Sequence, residues 1–205
     1  MASTSSNSYS TDRRSRGGFG AFLVGVLFTL FVLAVSGWAY FKYGHPPVAV
    51  ADQAFPMEAQ LVHIPLNARI DREMEQPPFG TSEVVYESGA HIYMTSCAMC
   101  HGTPGHDSSF GKWEYPNSPQ LFKKHGHGNV VGVSDDEAGE TYWKVKNGIR
   151  LTGMPSFDHV YTPAQMWQVS LLMKNADQPL PDPVKAILAG MPPAQIVLGT
   201  GTITP

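Results

Sequence analysis

The sequence predicts an all-α protein with one transmembrane helix near its N-terminus. Three observations indicate this fold class. The chain contains a single long stretch without charged residues, at residues 17–41. Further along, three segments carry helix start signals or apolar residues at helical spacing. Finally, no pair of segments shows the alternating apolar pattern that would predict a strand hairpin.

The transmembrane helix is predicted over residues 17–43. As an α-helix, its uncharged part is about 37 Å long, which is enough to cross the hydrocarbon core of a bilayer. Arg13, Arg14 and Arg16 precede the stretch, whereas only Lys42 follows it closely. By the positive-inside rule, the N-terminus lies in the cytoplasm and the rest of the chain lies outside. A cleaved signal peptide is the alternative, but the apolar run is longer than the usual signal core.

The segments that flank the folded part are polar or rich in proline. Residues 1–16 are rich in Ser and Thr and predict a disordered cytoplasmic tail. Residues 44–80 contain six prolines and predict an extended linker, with at most one helical turn at residues 67–74. The alternative is that its apolar patches, residues 48–50 and the pair Leu61 and Val62, dock on the following domain or on a partner. Residues 177–205 are rich in Pro and Gly and predict an extended tail, with a short helix at residues 183–188.

Residues 81–176 remain as the folded domain, and its first helix is predicted at residues 83–96. Apolar and small residues recur there at helical spacing on one face, namely Val85, Gly89, Ile92 and Tyr93. Because glycine has no side chain, Gly89 permits another helix to cross closely at this point.

Two further helices are predicted from their start signals. Ser134 is followed three residues later by Glu137, which is a capping box, and Gly148 marks the end of that helix. Thr162 and Gln165 form a second capping box, with Pro163 at the first helical position. The third helix continues through an apolar run that includes Trp167.

The chemistry of the chain is concentrated in the motif Cys97-Ala98-Met99-Cys100-His101. C-x-x-C-H is the pattern of covalent c-type haem attachment. Two thiols on one helical turn can each add to a vinyl group on one porphyrin edge, and the adjoining imidazole can then bind the iron. These are the only two cysteines of the chain. The motif therefore predicts one covalent haem c, held by Cys97 and Cys100 and ligated by His101.

Other interpretations of the two cysteines fit less well. A structural zinc site needs four Cys or His ligands and would have to recruit His106, His125 or His127. A thioredoxin-like redox pair needs a βαβ setting, which the sequence does not show. A structural disulfide across two intervening residues would form a tight, strained ring.

Met154 is the predicted ligand on the opposite face of the iron. A methionine thioether stabilises reduced iron and raises its potential. Met154 lies in a loop between Gly153, which allows close backbone approach, and Pro155, which stiffens the exit. A methionine that only fills the core is one alternative. His125 and His127 are rival ligands, and they would give a lower potential.

The two motifs together resemble those of a known family. Tyr93-x-x-x-Cys97-x-x-Cys100-His101-Gly102 and the later stretch 147–155 are similar to the haem-flanking motifs of class I cytochromes c, most closely the single-haem domains of bacterial respiratory chains. The resemblance covers about residues 80–176. It implies that the first and last helices of the domain cross near Gly89, with Trp167 or a neighbour filling the crossing. The candidate haem-packing residues are Leu121, Ile149, Leu151 and Phe157.

The resemblance implies a function in electron transfer rather than catalysis. An iron that is ligated by both His101 and Met154 has no position left for a substrate. We expect a membrane-anchored monohaem cytochrome of the respiratory chain, in the cytoplasmic membrane with its haem domain on the periplasmic side. Its expected partners are redox proteins or subunits of a respiratory complex, and the net charge of −3 gives no indication of nucleic acid. Arg150 is a candidate partner for a haem propionate.

Two alternative functions follow from other properties of the sequence. If Met154 can be displaced, the chain is a haem-based sensor or enzyme that binds a small ligand. If the histidines His106, His125 and His127 bind a metal, the chain stores or delivers that metal.

Overall fold

The computed structural model describes residues 15–126, 128 and 130–190. Within these residues the chain is helical and contains no strand, and the β-type pairing is restricted to two isolated bridges. The all-α prediction is therefore confirmed for this part of the chain. The chain divides into two compact units, one that ends at Gln53 and one that begins at Ala54, and each is described by itself.

The first unit consists of helix α1, Ser15–Tyr43. Its stretch Gly18–Tyr43 is 26 residues long, has a mean hydropathy of 2.5 and buries none of its residues. It is long and apolar enough to cross a membrane, although these two properties would also suit a signal sequence. Near its end the ring of Trp38 meets that of Tyr43 edge to face, with 5.9 Å between the ring centres.

The second unit contains six α-helices within the described residues. They are α2 (Glu58–Glu73), α3 (Glu83–Ser96), α4 (Ala98–His101), α5 (Ala138–Asn147), α6 (Pro163–Lys174) and α7 (Asp182–Leu188), with a single 3-10 turn at Gly111–Trp113. Helices α3, α5, α6 and α7 pack around one apolar core. Residues 183–188 therefore form the short helix that the sequence predicted, whereas the tail beyond residue 190 lies outside the described residues.

Helices α3 and α6 cross at Gly89, as the sequence predicted. A Cβ atom added to Gly89 would lie 2.5 Å from the carbonyl oxygen of Gln168 and 3.2 Å from the Cβ of Leu172. Trp167 lies beside this crossing and stacks on Tyr142 of α5, with 4.1 Å between the ring centres. The small residue thus brings two backbones together, and the neighbouring aromatic pair ties α5 to α6.

The predicted start of the second helix of the domain was wrong. Helix α5 begins at Ala138, four residues after the expected cap at Ser134. The hydroxyl of Ser134 accepts a hydrogen bond from the backbone N–H of Val131 at 3.0 Å. Its carbonyl oxygen accepts one from the ammonium group of Lys174 at 2.9 Å. Both groups are therefore engaged in a turn and a tertiary contact, which explains the later start. The capping box of Thr162 and Gln165 is present as predicted.

The prediction of an extended linker was wrong over residues 58–73, which form helix α2. Pro65 lies inside this helix and removes one backbone donor. Burial of Ile70 against the rest of the unit stabilises the helix despite this missing hydrogen bond, because only 2% of the residue is exposed. The alternative derived from the sequence was right that this segment docks on the following domain, but wrong about Leu61 and Val62, which are 59% and 55% exposed, whereas Ile70 is buried.

Candidate haem site

Both cysteines of the C-x-x-C-H motif and its histidine lie on one short helical stretch. The N–H of Cys97 donates to the carbonyl oxygen of Tyr93 at 2.8 Å, which continues α3 into α4. The N–H of His101 donates to the carbonyl oxygen of Cys97 at 2.9 Å. The hydroxyl of the buried Tyr93 donates to the carbonyl oxygen of Gly102 at 2.8 Å and fixes the end of the motif. Both cysteines are free thiols.

The imidazole of His101 is held by a single backbone acceptor. Its Nδ1 donates to the carbonyl oxygen of Pro119 at 2.7 Å. Because a carbonyl oxygen can only accept, the proton is on Nδ1, and Nε2 keeps its lone pair. Burial lowers the pKa of His101 below its ordinary value. At neutral pH the side chain is therefore a neutral imidazole, which is the form that binds a metal.

The loop that carries Met154 is stabilised by its own hydrogen bonds. The N–H of Ile149 donates to the carbonyl oxygen of Met154 at 3.1 Å. The hydroxyl of Thr152 donates to the carbonyl oxygen of Ile149 at 2.7 Å and accepts from the N–H of Met154 at 3.0 Å. The loop is thereby closed on itself, and Met154 is held at a fixed position against the apolar core.

A cavity of about 330 Å³ separates the two motifs. Cys97, His101 and Met154 all contribute to its wall. Cys100 lies beside it, and its thiol donates to a carboxylate oxygen of Glu114 at 3.2 Å. Most of the remaining wall is apolar and includes Leu66, Tyr93, Leu121, Val133, Val145, Ile149, Val169 and Met173. Three of the four sequence-predicted site residues therefore line one cavity, and the fourth, Cys100, lies on the same helical stretch as Cys97 and His101.

The chemistry of these residues fits a covalently bound haem. Burial raises the pKa of the Cys97 thiol to about 12. Burial and, second, the hydrogen bond to Glu114 raise the pKa of the Cys100 thiol to about 11. Both therefore remain thiols at neutral pH, and a thiol is the group that adds across a vinyl double bond. A mostly apolar cavity with a few polar groups is also the usual setting of a cofactor.

Comparison with known proteins places this segment in a family. Residues 85–173 match the family model described as cytochrome C oxidase, cbb3-type, subunit III. The matched segment contains both motifs and covers less than half of the chain. It is a cytochrome c domain of the class I type. No curated protein and no solved structure matches the chain.

Several residues that sequence reasoning considered lie elsewhere in the cytochrome domain. Leu151 is 90% exposed, so its prediction as a haem-packing residue was wrong. The reason is its backbone, which adopts a φ of 62° at the tip of the loop and turns the side chain outward. Phe157 packs beside Tyr161 against the core, with 5.9 Å between the ring centres. Leu121 and Ile149 line the cavity as expected.

The rival metal ligands receive no support from the described residues. The Nε2 of His125 forms a short contact with the carbonyl oxygen of Gly132, and His127 lies outside the described residues. Within residues 15–126, 128 and 130–190, no group of three or more His, Cys, Asp or Glu side chains could hold a metal ion. Arg150 is exposed, and its pairing with a propionate stays a prediction.

Sequence reasoning missed the contribution of α2 to this cavity. His63, Leu66 and Asn67 all belong to its wall. Together with the buried Ile70 they follow the i, i+3, i+4, i+7 spacing of one helical face. This pattern was visible in the sequence, but the prolines around it favoured a linker.

Proposed function

We propose that the chain is a membrane-anchored c-type cytochrome with one covalent haem, which carries single electrons. Cys97 and Cys100 would hold the haem covalently, and His101 and Met154 would bind its iron. The observation that carries this proposal is that Cys97, His101 and Met154 line one cavity in a cytochrome c domain. The haem supplies the redox chemistry, since its iron changes oxidation state by one electron.

The protein's own residues determine how that chemistry is used. The carbonyl oxygen of Pro119 orients the imidazole of His101 and keeps Nε2 free to bind. The self-closed loop holds the thioether of Met154. With both His101 and Met154 bound to the iron, small ligands would have no free site, which suits electron transfer without substrate binding. The apolar wall of the cavity excludes water and favours the less charged, reduced iron.

The proposed location is the cytoplasmic membrane, with the cytochrome domain on the periplasmic side. Helix α1 has the length and composition of an anchor. The three arginines that precede it, against the single Lys42 that follows closely, favour a cytoplasmic N-terminus. An alkaline phosphatase reporter fused after residue 53 should be active, because this enzyme works only outside the cytoplasm. An inactive fusion that is nevertheless produced in full would contradict the orientation.

The decisive test of the haem site is chemical. The purified protein, unfolded in acid, should keep the mass and the colour of one haem, because thioether bonds survive unfolding. The oxidised wild type should show the weak sulfur-to-iron absorption band. Met154→Ala should abolish that band, whereas Met99→Ala, which removes an exposed methionine at a variable position inside the C-x-x-C-H motif, should retain it. A colourless polypeptide, or a band that survives in Met154→Ala, would contradict the assignment.

Ligand binding separates an electron carrier from a sensor. Carbon monoxide should not bind rapidly to the reduced wild type at neutral pH, because Met154 would already bind the iron. It should bind to Met154→Ala, in which the iron would lack this ligand. Rapid and complete binding to the wild type would instead indicate a haem-based sensor or enzyme with a displaceable methionine.

We propose that the carrier serves a respiratory complex, either as a subunit or as a partner. The support is the family model, whose description is that of an oxidase subunit. Purification from membranes in a mild detergent tests the subunit form. Stoichiometric co-purification with other redox subunits is expected, and isolation of the chain alone would favour a tethered shuttle.

A further inference from the structure

Helix α2 lies against the cavity although it precedes both haem motifs in the chain. One face of α2 contributes His63, Leu66 and Asn67 to the cavity wall. The same face continues to Ile70, which is 2% exposed. The helix therefore turns its buried side toward the predicted haem position.

The C-terminal end of α2 is fixed to helix α5, which leads into the Met154 loop. The indole N–H of Trp143 donates to a carboxylate oxygen of Glu73 at 2.9 Å. The guanidinium group of Arg69 binds the other carboxylate oxygen at 2.9 Å and lies 5.7 Å from the centre of the Trp143 ring. Just beyond the helix, the ammonium group of Lys146 lies 3.5 Å from the carboxylate of Glu75.

A close backbone contact reinforces this attachment. A Cβ atom added to Gly139 of α5 would overlap the carbonyl oxygen of Glu75. The chain that leaves α2 thus approaches α5 more closely than any side chain would permit.

The N-terminal end of α2 is fixed to the opposite wall of the cavity. The hydroxyl of Tyr115 donates to a carboxylate oxygen of Glu58 at 3.0 Å. Tyr115 belongs to the segment that also provides Pro119, the partner of His101. Helix α2 consequently joins the wall on the His101 side to the wall on the Met154 side.

We propose that α2 is a built-in cover of the haem cavity, which separates the haem from solvent and from external ligands. The proposal rests on the haem site of the proposed function. Water around a haem stabilises the more charged, oxidised iron, so a cover raises the midpoint potential. With this cover in place, an external ligand can reach the iron only after α2 detaches.

The first test weakens the attachment of α2 at two positions outside the cavity wall, and each variant is paired with a control variant. Gly139→Ala displaces the chain at Glu75, while at the control position Gly80 nothing within the described residues lies within 4 Å of an added Cβ. Glu73→Ala removes the anchor of Trp143 and Arg69, while Asp71→Ala removes an exposed carboxylate from the same helix. Gly139→Ala and Glu73→Ala, the two anchor variants, should be cut severalfold faster by trypsin at Arg69 and Arg72. The two controls, Gly80→Ala and Asp71→Ala, should be cut at the wild-type rate.

The same four variants are then measured as oxidised and reduced holoproteins. Imidazole, added to the oxidised protein as a probe ligand that must displace Met154 from the iron, should bind severalfold faster to Gly139→Ala and Glu73→Ala, and their midpoint potentials should fall. Faster cleavage without either change would show that α2 is attached but does not cover the haem. Unchanged cleavage in both anchor variants would contradict the attachment itself. Either result overturns this proposal.

A third pair tests the contact between α2 and the haem. His63→Ala removes a polar group from the cavity wall, whereas His91→Ala removes an exposed histidine on α3. A shift of the midpoint potential from the wild-type value is expected only for His63→Ala. Equal midpoint potentials of His63→Ala and the wild type would contradict the contact between α2 and the haem. A preparation without covalent haem would instead refute the proposed function, so the two failures are distinguishable by absorption alone.

Discussion

The four-helix core of the cytochrome domain and helix α2 are held in place by different forces. Helices α3, α5, α6 and α7 share a continuous apolar interior that includes fully buried residues such as Leu172 and Leu188. Helix α2 has one buried residue, Ile70, and is otherwise attached by polar contacts at its two ends. The comparison indicates a cooperative core that defines the site and a separately attached helix, which is the property that the proposed cover of the cavity requires.

The largest expected effect comes from removing the haem from the core. The double variant Cys97→Ala/Cys100→Ala cannot form thioether bonds, so the cavity of about 330 Å³ would lack the covalent haem that we propose fills it. A small domain with such a void has too little buried apolar surface to be stable. Circular dichroism should show no cooperative melt, and a native-like transition would contradict this prediction.

A second prediction compares the same kind of truncation in the two regions. Leu172→Ala removes a fully buried side chain at the helix crossing and should lower the free energy of unfolding of the domain by about 2–5 kcal/mol. Ile70→Ala should instead release α2 and leave the denaturant midpoint of the core nearly unchanged. Hydrogen exchange, which reports each helix separately, measures both effects. Equal losses of core stability would show that α2 and the core unfold as one unit.

A third prediction concerns the close approach of α3 and α6. Gly89→Ala places a methyl group 2.5 Å from the carbonyl oxygen of Gln168, so the two helices must move apart. We expect a loss of about 1–3 kcal/mol, typical of overpacking. Gly80→Ala serves as the control and should unfold at the wild-type denaturant concentration. A Gly89→Ala protein as stable as the wild type would indicate that the crossing is looser than described.

The smallest expected effect is a dependence of α2 on pH. Hydrogen bonds from Trp143 and then from Arg69 lower the pKa of Glu73 below its ordinary value of 4.5. The ionised carboxylate therefore stabilises the attached helix above the ordinary pKa, and this contribution is lost as the pH falls through the lowered value. Tryptic cleavage is impractical in acid, so exchange of the α2 amides should be followed from pH 6 downward. Glu73→Gln should flatten the dependence, and an unchanged profile in this variant would assign it to another group.

Local signals in the sequence predicted the core well. The face formed by Val85, Gly89 and Ile92 gave the bounds of α3, and the capping box at Thr162 gave the start of α6. The neighbours of these residues along the chain were enough to define both helices. The same holds for the C-x-x-C-H motif, because its residues share one helical turn.

The errors arose where distant residues decide the structure. Ser134 has a capping sequence, but Val131 and Lys174 engage its hydroxyl and carbonyl groups. Pro65 suggested a linker, but contacts of α2 with residues up to 70 positions later stabilise the helix. Neither partner can be identified from local sequence, because each requires the tertiary fold.

The attachment of α2 to Trp143 also has a consequence for the order in which the protein matures. In the proposed export the chain emerges from its N-terminus, so residues 58–73 would arrive well before Cys97, and Trp143 would arrive last of the three. Helix α2 has no docking partner on α5 until that tryptophan has appeared. Under the proposed function, both thiols would consequently be accessible to the attachment machinery before α2 can dock, and α2 would cover the cavity only after the second half of the domain has completed its wall.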